Sequence, residues 1–164
     1  MNDLYVILLV CTGNTCRSPM AEGALRMLLN KERPGRFEVM SAGTAAAAGY
    51  PATLRAIEAA RLWDVDITGH RSQPLAPALI DRADLILAME PMHVHEVLRL
   101  RGAANEKTFL LKNFPEPGAN GEQVADPIGL SPEVYSKTFL EIGEYLGKHL
   151  PLIVQRIDEK ANAA

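Results

Sequence analysis

The chain has 164 residues, of which 48% are hydrophobic and 23% charged. These values fit one globular unit over residues 1–164 and exclude disordered, collagen-like and coiled-coil classes. With 17 Lys and Arg against 20 Asp and Glu, the net charge is -3, so there is no basic excess to attract nucleic acid and any bound anion must be held by a local site.

Residues 4–10 form a continuous apolar run. Continuous rather than alternating apolarity predicts a strand covered on both faces, as in a parallel sheet. The run is too short to cross a membrane, and Asp3 precedes it in place of a basic lead-in. A cytoplasmic protein without membrane association is expected, with Cys11 and Cys16 reduced. A turn-rich stretch follows at 11–18, and Pro19 is expected to open a helix that stops before Pro34.

Residues 37–40 read as a second strand, parallel to the first through the helical crossover. Loops are expected at 41–44 and 45–48, a helix at 53–63, a connector at 66–72 and a short helix at 74–81. A third strand is predicted at 83–89, a helix at 91–100 and a fourth strand at 107–111. Residues 112–131 show no period, and a structureless stretch of that length is usually functional. The last helix is predicted from Pro132, with Tyr135, Phe139, Ile142, Leu146 and Ile153 on one face and a frayed tail at 160–164. Trp63 and the methionines read as core; Asp64, Asp81 and Asp84 read as solvated or capping. The fold class is α/β: a three-layer sandwich with about four parallel strands and helices on both faces.

Ligand sites in such sheets lie beyond the carboxyl ends of the strands. The loop Cys11-Thr12-Gly13-Asn14-Thr15-Cys16-Arg17-Ser18 sits there, before a helix N-terminus. Free backbone N–H groups and the positive end of the helix make it an anion cradle. Gly13 and Asn14 are expected to take the left-handed turns. Arg17 supplies a planar fork for two phosphate oxygens. Cys11 is expected to lose its proton readily there and to act as nucleophile, with Ser18 donating to its thiolate. The loop lacks the Gly-Lys-Ser/Thr of a Walker loop and the glycines of a dinucleotide fingerprint.

Asp126, before Pro127 in the long loop, is a candidate acid for the departing group; by its residues alone the pair reads equally well as a turn. His93 and His95 face different directions on a helix, so no metal is expected, and no cofactor.

Residues 10–22 resemble the phosphate loop of the low-molecular-weight protein phosphatases. The resemblance continues in order through 41–44, 69–72, 83–89 and Asp126-Pro127. It implies phosphorylated protein substrates, inorganic phosphate as product and a phosphocysteine on Cys11. It makes Asp126 the general acid, later the base. It gives Ser41 and His70 roles in holding the loop through Asn14 and Ser18. It implies a reversible disulfide between Cys16 and Cys11. Tyrosine-directed relatives usually carry an apolar branched residue at Thr15 and aromatic walls; here stand Thr15, Ile128-Gly129 and four alanines at 45–48, with Tyr50 as a candidate wall. Thr15 and Asp-Pro-x-Gly resemble the protein-arginine phosphatase branch, with Thr15 setting specificity. Phosphoarginine is therefore favoured over phosphotyrosine. A thiol-dependent arsenate reductase on the same fold would relay electrons through further cysteines, and none follows Cys16.

Overall fold

The computed structural model describes residues 4–164. The elements are β1 (Tyr5–Cys11), α1 (Arg17–Glu32), β2 (Phe37–Gly43), α2 (Leu54–Arg61), α3 (Pro77–Arg82), β3 (Leu85–Ala88), α4 (Pro91–Leu100), β4 (Thr108–Leu110) and α5 (Pro132–Ala163). A 3-10 turn at Gly102–Lys107 joins α4 to β4. The sheet order is β2-β1-β3-β4, and every pairing is parallel.

The apolar run of β1 is explained by two cores. Ile7, Leu9 and Cys11 pack with α1, α2 and α5, whereas Val6, Leu8 and Val10 pack with α3 and α4. Alternate side chains of one strand thus enter opposite layers, and neither face meets water. Thr53 and Ser131 cap α2 and α5, each accepting a backbone N–H of the first turn. Pro19 falls at the third residue of α1, where no intrahelical N–H is needed.

Five expectations need correction. Ser41, Ala42 and Gly43 belong to β2 rather than to a loop, because the register continues until Gly43 pairs with Cys11. The 160–164 tail is helical through Ala163; Lys160 Nζ, at 2.8 Å from both Leu4 O and Asp84 Oδ2, ties the last turns of α5 to the sheet. Asp84 is not a solvated residue: it also accepts the Val6 N–H at 2.7 Å, joining β1 to the start of β3. Trp63 is 53% exposed, since the left-handed turn at Asp64 (φ 58°) sends Val65 into the core instead. Met92 is also exposed, because α4 buries the face carrying His93, Val94 and Val97; Met20, Met40 and Met89 are core as expected. Met1 lies outside the described residues.

Parallel pairing puts every strand's carboxyl end on one edge. Cys11 ends β1, Gly43 ends β2, Glu90 and His93 follow β3, and the 112–131 loop leaves β4. The site assembles at that edge.

Candidate active site

Between Cys11 and Arg17 the chain turns once, and its carbonyls are taken up by the scaffold. Cys11 O accepts from Thr44 N–H, Thr12 O from Ala45 N–H and Thr15 O from Thr53 N–H, each at 2.9 Å. Asn14 O receives His70 Nε2 at 2.7 Å. In a trans peptide the following N–H points the opposite way. Outward carbonyls at 11, 12, 14 and 15 therefore aim the N–H groups of Thr12, Gly13, Thr15 and Cys16 inward.

Asn14 holds the turn. It alone takes the left-handed conformation (φ 57°); Gly13 does not. Gly13 instead stands exposed at the cavity mouth, where an added Cβ would meet only Thr15 Oγ1, at 3.6 Å. Asn14 Nδ2 donates to Ser18 Oγ at 2.7 Å and to Ser41 Oγ at 2.9 Å, and Asn14 Oδ1 accepts Gln73 N–H at 2.9 Å. Both amide hydrogens are used, so the side chain fixes its own left-handed backbone. Ser18 Oγ lies 2.8 Å from Cys11 Sγ. Since that oxygen already accepts from Asn14, its hydrogen is available to the sulfur.

Arg17 is 1% exposed. Nη1 donates to Val124 O at 2.7 Å and pairs with Glu90 Oε2 at 3.0 Å. Nη2 reaches Thr12 Oγ1 at 3.4 Å and Asp126 Oδ2 at 3.6 Å. Asp126 Oδ1 also accepts Ile128 N–H at 3.1 Å, which fixes the carboxylate over the mouth.

A cavity of about 230 Å³ is lined by Cys11, Thr12, Gly13, Thr15, Cys16, Arg17, Asp126 and Ile128. Ala45 to Ala48 and Tyr50, expected as walls, are not among its lining residues. Their stretch turns toward the 66–73 connector instead, where Ser72 bonds Tyr50 N–H and Ala47 O.

The Cys11 thiol departs from expectation. Burial pushes it up, and the opposing influences of Ser18, Arg17 and the Asn14 N–H do not cancel this. The physical reason is desolvation: loss of water around a buried thiolate outweighs the hydrogen bonds and the nearby guanidinium. Cys16 is also a free thiol, with Tyr135 Oη at 3.3 Å and Thr53 Oγ1 at 3.6 Å from its sulfur. Burial and the Cys16 contact push the Tyr135 hydroxyl up to about 12, so it stays a neutral hydrogen-bonding group.

Sequence reasoning missed four contributors. Glu90 and His93 come from the turn after β3 and the first turn of α4, and Gln73 from the segment before α3. Gly43 backs the loop so closely that an added Cβ would lie 2.3 Å from Thr12 O. The only local signal was Glu90 three residues before His93 at a helix start, which reads as an ordinary cap. Among the described residues no group of three or more His, Cys, Asp or Glu is placed to hold a metal ion. No helix among them is long and apolar enough to cross a membrane.

A cysteine in a backbone cradle, facing an arginine and a carboxylate, fits a class of phosphate-hydrolysing enzymes. The chain belongs to the low molecular weight phosphotyrosine protein phosphatase family, whose model matches residues 6–163. It is 40% identical over 141 residues to the protein-arginine-phosphatase of Bacillus subtilis (strain 168), covering 85% of this chain and 91% of that one. It is 34% identical over 133 residues to the low molecular weight protein-tyrosine-phosphatase Etp of Escherichia coli (strain K12), covering 81% and 84%. The YwlE arginine phosphatase structure from Geobacillus stearothermophilus superposes with a TM-score of 0.80 at 37% identity, over 95% of this chain and 94% of that one. The protein is thus a cysteine-dependent phosphatase, and phosphorylated protein substrates with inorganic phosphate as product fit it.

Proposed function

We propose that this chain acts as one catalytic unit over residues 1–164, in the cytoplasm, and removes phosphate from arginine side chains of proteins. The observation that carries the choice of substrate is the cavity wall. Its side chains beyond the loop are Ile128 and Asp126, with no aromatic ring to stack on a phenol. Thr15 Oγ1 makes only a 3.9 Å contact, with Cys16 Sγ, so its oxygen can accept a guanidinium N–H. The relatives named as protein-arginine-phosphatases support the same reading.

The chemistry follows from the geometry. The inward N–H groups of Thr12, Gly13, Thr15 and Cys16, with Arg17, hold the phosphoryl oxygens. The Cys11 thiolate, steadied by Ser18 Oγ–H, attacks phosphorus. The P–N bond breaks, its electron pair leaves with the guanidine nitrogen, and protonated Asp126 supplies that nitrogen's proton. Protonating Asp126 also removes one of the two carboxylates facing Arg17, which frees positive charge for the thiolate. Water then attacks the phosphocysteine while Asp126 takes its proton. The S–P pair returns to sulfur, and orthophosphate leaves. Ser41 and His70 hold the loop through Asn14, and Cys16 serves as redox partner to Cys11.

The test is hydrolysis of matched phosphoarginine and phosphotyrosine peptides side by side. Higher kcat/KM on phosphoarginine is expected. A preference for phosphotyrosine would replace this reading with a tyrosine phosphatase of the same mechanism. Loss of all turnover in Cys11→Ser is expected on either substrate.

A further inference from the structure

His93 is completely buried directly behind the phosphate loop. Its Nδ1 accepts the Glu90 backbone N–H at 3.0 Å. An amide N–H can only donate, so Nδ1 carries no proton and the ring hydrogen of the neutral imidazole sits on Nε2. Nε2 lies 2.8 Å from Thr12 Oγ1 and therefore donates to it. Arg17 Nη2, also a donor only, reaches the same oxygen at 3.4 Å.

A threonine hydroxyl has two acceptor sites and one hydrogen. Both acceptor sites of Thr12 Oγ1 are occupied by these donors, so the hydroxyl has only donation left. Thr12 lines the cavity beside Arg17, where a bound phosphoryl group brings acceptor oxygens. We infer that Thr12 donates a side-chain hydrogen bond to a phosphoryl oxygen, and that His93 is the positioning residue that keeps its hydroxyl turned that way. The inference rests on the phosphatase reading and adds a side-chain donor to the backbone cradle. It also explains why a histidine that touches no substrate is buried at the back of the site: its two nitrogens connect the cap of α4 to the first loop residue after Cys11.

The experiment uses the full chain, with inorganic phosphate as competitive inhibitor and a phosphorylated peptide that the wild type hydrolyses. Thr12→Val should raise the phosphate inhibition constant and lower kcat/KM, each by about tenfold, the scale of one hydrogen bond to a charged group. Thr12→Ser should restore most of both. His93→Leu should show a comparable loss, and Thr12→Val with His93→Leu should be little worse than Thr12→Val alone, because both remove one device. The 15N resonances of His93 in the wild type should show the proton on Nε2. An unchanged inhibition constant in Thr12→Val, additive losses in the double variant, or a proton on Nδ1 would each overturn the inference. Should His93→Leu not fold, the Thr12 pair and the wild-type spectrum decide it. A wild type without turnover on any phosphorylated peptide would instead sink the phosphatase reading itself.

Discussion

Arg17 Nη1 lies 3.0 Å from Glu90 Oε2, which makes a buried ion pair of the guanidinium that faces the phosphate cradle. Glu90 follows β3 at the edge where the loop lies and meets Arg17 there. Glu90→Gln keeps a hydrogen-bond acceptor and removes one negative charge. The Cys11 thiol should then titrate at lower pH, read from the pH dependence of its alkylation rate. Stability should fall by up to roughly 3–5 kcal/mol, because a buried cation loses its charged partner. An alkylation profile identical to wild type would show that Glu90 only braces the loop.

Asp126 lines the cavity 3.6 Å from Arg17, and the proposed mechanism makes it the acid for the departing group. Asp126→Asn should lower kcat on phosphorylated peptides by about 10²–10⁴-fold, and on activated aryl phosphates by much less, since their departure needs little protonation. A leaving-group series run on both proteins checks this. Equal losses along the series would make Asp126 a loop-shaping residue only.

Thr15 and Ile128 share the cavity wall. Thr15→Ile removes an acceptor for a guanidinium and adds apolar surface for a phenol. The ratio of kcat/KM on phosphoarginine and phosphotyrosine peptides should shift toward tyrosine by about tenfold, corresponding to about 1.4 kcal/mol. An unchanged ratio would remove Thr15 from the specificity assignment.

Cys16 is held through Tyr135 Oη and lines the same cavity as Cys11. Mild peroxide should inactivate the enzyme reversibly: it oxidises Cys11 to a sulfenic acid, and Cys16 displaces water from that sulfur to form the disulfide. Thiol reductant should restore activity, and mass spectrometry should find the Cys11–Cys16 bridge. In Cys16→Ser recovery should fail after longer exposure. Recovery equal to wild type would leave Cys16 a packing residue.

Burial, reinforced by Arg17, holds His93 at about 4 in the folded protein, below its ordinary 6.5. His149, buried with Nε2 on Leu111 O, is shifted the same way. The unfolded chain therefore binds protons that the folded one does not between these values. Stability is full above about pH 6.5 and falls as pH drops toward 4. From pH 7 to pH 5, His93 alone should remove roughly 2 kcal/mol, measured by urea unfolding at several pH values. A stability independent of pH over that window would contradict the buried neutral imidazole.

The reactive loop was legible in the sequence because its chemistry is contiguous. Cys11, Asn14, Arg17 and Ser18 lie within one strand-turn-helix, and strand, cradle and helix start each leave a local signature. The same holds for α4 at Pro91–Leu100 and for the parallel sheet, since β1 shows by its unbroken apolarity that both faces are covered. The position of Asp126 at the cavity was expected only through resemblance, as its own residues read equally well as a turn.

Tertiary structure alone decided what crosses the sheet. By sequence Glu90 has no assigned role and His93 is weighed only as a metal ligand; only the pairing of β1 with β3 brings them to Arg17 and Thr12. Gly43 looked like a loop glycine until its register opposite Cys11 placed it against Thr12 O. The direction of the Cys11 thiol followed neither from the cysteine nor from Arg17, but from burial, which outweighs them. Local sequence fixes backbone preference and side-chain chemistry. Burial and charge balance are sums over neighbours that the chain supplies from dozens of residues away, and those sums exist only once the parallel strands have put their ends on one edge.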